Sequence, residues 1–212
     1  MVRGRRGLAA VVVALVGGVL AGCTGGGSEM PGLTASPTVS ATPTPTPTPT
    51  PTEEFTEELG VVFDFSDPDL QLFFEDVPRE LTGDAADVHN AIALWVREAW
   101  RTAITNTVSP YLLEVSSGTV IESVEAGAAQ NAERGNTIGG VHRVTISDIT
   151  VNGETATGAA CRDFREGTFE NANGSHEPAE VGFGEPFLIE FSLISLGGGV
   201  WWVESINEVG TC

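Results

Sequence analysis

The 212-residue sequence contains no lysine, and all ten of its basic residues are arginine. That absence excludes a phosphate-cradling P-loop, a Schiff-base enzyme and a Ser-x-x-Lys nucleophile pair, each of which needs a lysine amine. A Gly-x-Ser-x-Gly nucleophile elbow is missing as well. Tyrosine occurs once, as Tyr111, and histidine three times, as His89, His142 and His176, with no His or Cys at metal-ligand spacing. Neither a metal nor an organic cofactor is therefore expected. Positive charge is scarce overall, and 29 acidic residues leave a net charge of -19. Such a polyanion is repelled by nucleic acid and gains nothing from an anionic lipid surface, so neither is an expected partner by charge.

What the chain does have begins at its amino terminus. Arg3, Arg5 and Arg6 precede an apolar run from Leu8 to Val16, continued by Val19 and Leu20. The run is interrupted by Gly17 and Gly18 and falls short of the ~20 apolar residues that a spanning helix needs. A charged start, a short apolar core and a small-residue cleavage site define residues 1–22 as an export signal. The segment Leu20-Ala21-Gly22-Cys23 resembles the lipobox of bacterial lipoproteins. That resemblance implies diacylglycerol on Cys23, a mature chain starting there, and a lipid tether to the extracytoplasmic face of a membrane. Each buried methylene contributes about 0.8 kcal/mol, so several acyl chains hold firmly. Loss of the three arginines would take the net charge to -22.

With Cys23 lipidated, two of the three cysteines remain, Cys161 and Cys212. An even number in an oxidising compartment points to a disulfide, the alternative being two separate buried thiols. A bridge would close a loop of about 50 residues and contribute roughly 4 kcal/mol by the chain-entropy model. It would also tie down the last residue of the chain.

Residues 23–54 read as a linker. A Gly-rich start leads to strict Thr-Pro alternation from Thr42 to Thr52, which favours extended polyproline II. At about 3.1 Å per residue that stretch alone makes a stalk of roughly 34 Å. Its expected role is reach through the cell wall, and its composition suits O-glycosylation.

Residues 55–83 form an acidic arm with apolar islands. Asp64 to Glu75 invites comparison with a calcium loop, but Pro68 and Asp69 stand where the loop's fifth position and its turning glycine belong. The expectation is a solvated arm that packs its Phe residues on the domain. From Asp84 the spacing of Val88, Ile92, Trp95, Val96, Ala99 and Ala103 predicts a helix, with Asp84 as its cap. Ser109-Pro110 marks a second helix start over 110–116, and 119–133 reads as a third. After Gly140 the period becomes two. Val144 and Ile146 oppose Ile149 and Val151 in parity, which calls for a bulge near Asp148. Asn152-Gly153 signals a hairpin. The return strand, Thr155 to Cys161, is built of small residues, which admit either a closely packed helix or a cavity. Residues 164–185 read as irregular, followed by strands from Phe187 and Val200 around Gly197-Gly198-Gly199.

Helices followed by bent antiparallel strands give an α+β class over residues 84–212. This order resembles the nuclear-transport-factor-2-like (cystatin-like) cone, in which helices pack into a curved antiparallel sheet. Ala159-Ala160-Cys161-Arg162-Asp163, Gly199-Val200-Trp201-Trp202-Val203 and the terminal Cys212 also resemble small domains of lipoproteins from high-GC Gram-positive bacteria. The missing lysine, the histidines in separate elements and the paired cysteines lead to the expectation of a non-catalytic domain that binds a small apolar ligand in the cone or an envelope protein on the sheet. The competing expectation is an isomerase- or cyclase-type enzyme in the same pocket. It would pair Tyr111 with a strand carboxylate, Asp148 or Asp163 first and Glu190 or Glu204 next.

Overall fold

The helix foreseen from Asp84 runs Asp84–Thr105 (α1) in the computed structural model, which describes residues 59–116 and 118–212. The export signal, Cys23, the linker and the first residues of the arm lie outside the described residues. A short α2 (Leu112–Val115) and α3 (Gly118–Arg134) follow. Two helix starts differ from expectation. Gly83, with φ of 60°, occupies the cap position of α1, and Asp84 belongs to the first turn. The Ser109 hydroxyl does not cap α2 but donates to buried Glu98.

The strands are β1 (Leu72–Glu75), β2 (Thr137–Gly140), β3 (His142–Asn152), β4 (Thr155–Asp163), β5 (Gly167–Asn171), β6 (Gly174–His176), β7 (Phe187–Gly197) and β8 (Val200–Thr211). Five of them form a sheet in the order β1-β3-β4-β7-β8, and β2-β5-β6 form a smaller one. The class is α+β, but the main sheet is mixed rather than antiparallel. β1 pairs in parallel with β3, Leu72 opposite His142 and Glu75 opposite Thr145. A parallel pair needs a long crossover, and here α1, α2, α3 and β2 supply it. The arm is thus part of the fold: Leu72, Phe74 and Phe65 are buried in the core.

The other face of α1 explains its buried polar residues. Asn90 accepts from the Phe63 amide at 3.0 Å and donates to the Val61 carbonyl at 2.7 Å. Asp87 accepts from the Gly60 amide at 2.6 Å, and Trp100 Nε1 donates to the Leu70 carbonyl at 2.9 Å. The arm's backbone groups, deprived of a strand partner, find side chains on the helix instead.

On the sheet side, Val88, Ile92, Trp95 and Val96 pack against β3, β4 and β8, with Trp95 edge-on to Phe191 at 5.4 Å. The small residues of β4 serve that contact. A Cβ on Gly158 would come 2.6 Å from Ile92 Cδ1, so the strand admits the helix and leaves no cavity. The bulge is present: the β3–β4 register shifts between Ser147 and Thr150, and Asp148 has a φ of 55°. The hairpin loop is Gly153-Glu154, one residue later than the Asn-Gly signal, since Asn152 still pairs with Thr155. The stretch read as irregular contains β5 and β6.

Cys161 and Cys212 are bridged, with Cα atoms 5.9 Å apart. The link runs from β4 past β7 to the end of the edge strand β8. No helix of the described residues is long and apolar enough to cross a membrane.

Candidate functional site

The residues singled out by sequence do not assemble into an acid–base site. Tyr111 is 42% exposed at the approach to α2. Asp148 is exposed on the β3 bulge, where it accepts from Ser147 Oγ at 2.9 Å. Asp163 ends β4 and is held by Arg165 at 2.6 Å; hydrogen bonding from Arg165 keeps its carboxyl below the usual range. Glu190 and Glu204 are exposed. A catalytic base of the isomerase type needs a desolvated carboxyl, and none of these four is one.

The calcium-like carboxylates serve local backbone. Asp64 accepts from the Ser66 amide at 3.0 Å, and Asp67 caps the 3₁₀ turn Pro68–Leu70 through the amides of Asp69 and Leu70. Among the described residues no three His, Cys, Asp or Glu side chains gather as a metal site would require.

The acid that is desolvated was not foreseen. Glu98 on α1 is 0% exposed, with Arg97 Nε at 2.8 Å and Arg101 Nε at 3.2 Å. Ser109 Oγ donates to its second oxygen, and the Ser109 amide donates to Thr102 Oγ1 at 3.0 Å. With hydrogen bonds from Arg97 and Ser109 and an ion pair to Arg101, Glu98 fastens the α1–α2 connection.

His142 is fully buried, stacked on Phe164 at 4.0 Å and edge-on to Trp100 at 4.9 Å. Its Nε2 accepts from Arg162 Nε at 3.2 Å. Burial, then the adjacent guanidinium, pushes its pKa well down, and burial also lowers His89. Burial likewise brings Arg162 down to about 10; its guanidinium lies 4.9 Å from the Phe164 ring centre and 5.6 Å from that of Phe187. A histidine kept neutral in the fold but charged when unfolded contributes stability above its unfolded pKa, near 6.5, that is lost as pH falls below it. The stability of the domain should therefore drop between about pH 6.5 and 5 by up to about 1.4 kcal/mol per pH unit for each such histidine. Asp64 and Asp163, both lowered from 3.8, act only below that window. Urea midpoints of His142→Gln across it should show a flatter slope; an unchanged slope would count against the neutral-histidine account.

Two concavities stand out among the described residues. One, of about 80 Å³, lies between Leu59, Leu94, Gly199 and Trp201 and is too small for more than water. The other is an open cleft of about 680 Å³ beside the smaller sheet, within the range of small-molecule sites. Its apolar part is Ile138, Phe169, Val181 and Phe183, with the two Phe rings stacked at 5.1 Å. Its polar part comes from Asn131 and Arg134 at the end of α3, Asn136 and Thr137 at the start of β2, Glu170, Asn171 and Asn173 around the β5–β6 turn, and His176. Gly140 permits this close pairing of β2 with β5: it has a φ of 77°, and a Cβ there would lie 2.7 Å from the Glu166 carbonyl. The signal available beforehand was the asparagine density in 131–136 and 171–173.

No family model and no curated protein matches this chain. Among solved structures it is similar to the intermembrane space region of the chloroplast protein ARC6, at 12% identity and a TM-score of 0.47, over 60% of this chain and 97% of that one. It is also similar to a de novo β-sheet design, at 13% identity and a TM-score of 0.34, over 59% and 89%. Both likenesses are too distant to carry an argument about function.

Proposed function

We propose that this chain is a lipid-anchored binding protein of the bacterial cell envelope, held at the extracytoplasmic face by diacylglycerol on Cys23. Its domain is a nuclear-transport-factor-2-like cone that takes a ligand without chemistry. Support for the anchor is the lipobox at Leu20 to Cys23 behind an export signal, and the Cys161–Cys212 bridge suits an oxidising compartment. Support for the cone is the bulge in β3, the register shifts between β7 and β8, and the long α1 packed on that sheet.

The observation that carries the binding reading is the cleft beside β2-β5-β6, which combines apolar floor with unfilled polar groups. The space between α1 and the main sheet is filled by Trp95, Trp100, Phe164 and Phe191, leaving little room there for a substrate. The enzyme alternative would need Tyr111 beside a desolvated acid.

Cys23→Ala should release the protein from membranes, and intact mass of the native protein should show a lipid adduct on a chain beginning at Cys23. Tyr111→Phe should leave cellular function unchanged. An unmodified Cys23 in membrane-bound protein would sink the anchor. Inactivation by Tyr111→Phe in a folded, anchored protein would favour the isomerase-type reading.

A further inference from the structure

Several of the cleft's polar side chains keep donors that no bond uses. Asn131 Oδ1 already accepts from Asn136 Nδ2 at 3.0 Å, and Asn171 Oδ1 accepts from the Asn173 amide at 2.8 Å. In both side chains the oxygen is taken and the amine is left. Arg134 adds a guanidinium. In a chain this acidic most arginines find carboxylates: Arg101 with Asp67 at 3.5 Å, Arg143 with Glu75 at 3.0 Å, Arg165 with Asp163 at 2.6 Å. Arg134, in the last turn of α3 and in the lining of the cleft, makes no ion pair among the described residues. His176 supplies an independent sign of a missing partner. Its Nε2 is buried in the lining with nothing bonded to it.

We propose that this cleft binds a small amphipathic carboxylate, its apolar body on Phe169, Val181 and Phe183 and its head on Arg134. The inference rests on the binding reading above and names the ligand class for it. A carboxylate only accepts hydrogen bonds, which matches a rim of free donors. Glu170, the carboxylate in the lining, already accepts from Ser175 Oγ at 3.1 Å and repels a second negative charge.

The test uses the full chain carrying Cys23→Ala, so that no acyl chain competes for the cleft. Phenylbutyrate and hexanoate are titrated by calorimetry against their neutral amides. The acids should bind about tenfold or more tightly than the amides, a difference of about 1.4 kcal/mol. Arg134→Gln should erase that preference. Val181→Asp, at a position 39% exposed and hence tolerant of the change, should weaken the acids by a similar factor. Equal binding of acid and amide that Val181→Asp abolishes would overturn the carboxylate while leaving the cleft a binding site. A preference that survives Arg134→Gln would overturn it too. No saturable binding of any probe by about 10 mM would overturn the proposal and remove the main support for the binding reading.

Discussion

Replacing Cys161 and Cys212 together by serine should lower the stability of the domain by about 4 kcal/mol, roughly half of what a domain of this size commonly has. The separation of 51 residues sets the chain-entropy contribution. The position of the bridge sets where the loss appears. β8 is an edge strand, paired on one side by β7, and its last residues are exposed. Without the link, the Cys212 amide keeps only its 3.3 Å bond to the Pro186 carbonyl. Hydrogen exchange should accelerate first at Val209 to Thr211 and at their partners near Phe187. Equilibrium unfolding in urea measures the total. A loss below about 1 kcal/mol would mean that the unfolded chain is constrained in some other way.

Trp100→Ala should cost about 3–5 kcal/mol, the range for deleting a large buried aromatic side chain. Trp100 is 1% exposed and lies against His142 and Phe164, at 4.9 and 5.3 Å between ring centres. It also carries the bond to the Leu70 carbonyl that holds the arm just ahead of β1. The variant should therefore lose amide protection along Leu72–Glu75 before the rest of the sheet. Trp100→Phe should retain most of the packing and lose about 1 kcal/mol for the hydrogen bond. If Trp100→Ala left β1 as protected as before, the tryptophan would not be what secures the arm.

The parts of this fold that were legible in the sequence are those governed by local periodicity and turn chemistry. The apolar spacing from Val88 to Val96 gave α1, the parity change between Ile146 and Ile149 gave the bulge, and three consecutive glycines gave the β7–β8 turn. Small residues on β4 left a choice between helix contact and cavity, which Ile92 against Gly158 decided. The parity argument was silent about β1, because Leu72 to Glu75 is too short to show a period and its partner lies beyond a crossover of more than 60 residues. Ser109 looked like a helix cap by position, but its hydroxyl donates to buried Glu98 and Tyr111 takes the cap position of α2.

The candidate site was less legible than the fold. Tyr111, Asp148 and Asp163 were chosen for residue type, and burial alone separates a reactive acid from a solvated one. The cleft draws Arg134, Asn136, Asn171 and His176 from three elements, each ordinary in its own sequence context. Which of their polar atoms stay unbonded, such as His176 Nε2 and the Asn171 amine, is set only once the partners are known.

By itself the sequence excluded the lysine-dependent chemistries and pointed to the pairing of Cys161 with Cys212, and it alone carries the proposal of export and lipidation at Cys23. Each of these depends on composition or on neighbours in the chain. The tertiary structure decided that the acidic arm enters the sheet, that Glu98 is buried, and that a donor-lined cleft lies beside β5 and β6. Those follow from contacts between residues far apart in sequence, where desolvation and hydrogen-bond competition choose among partners that local pattern treats as equal.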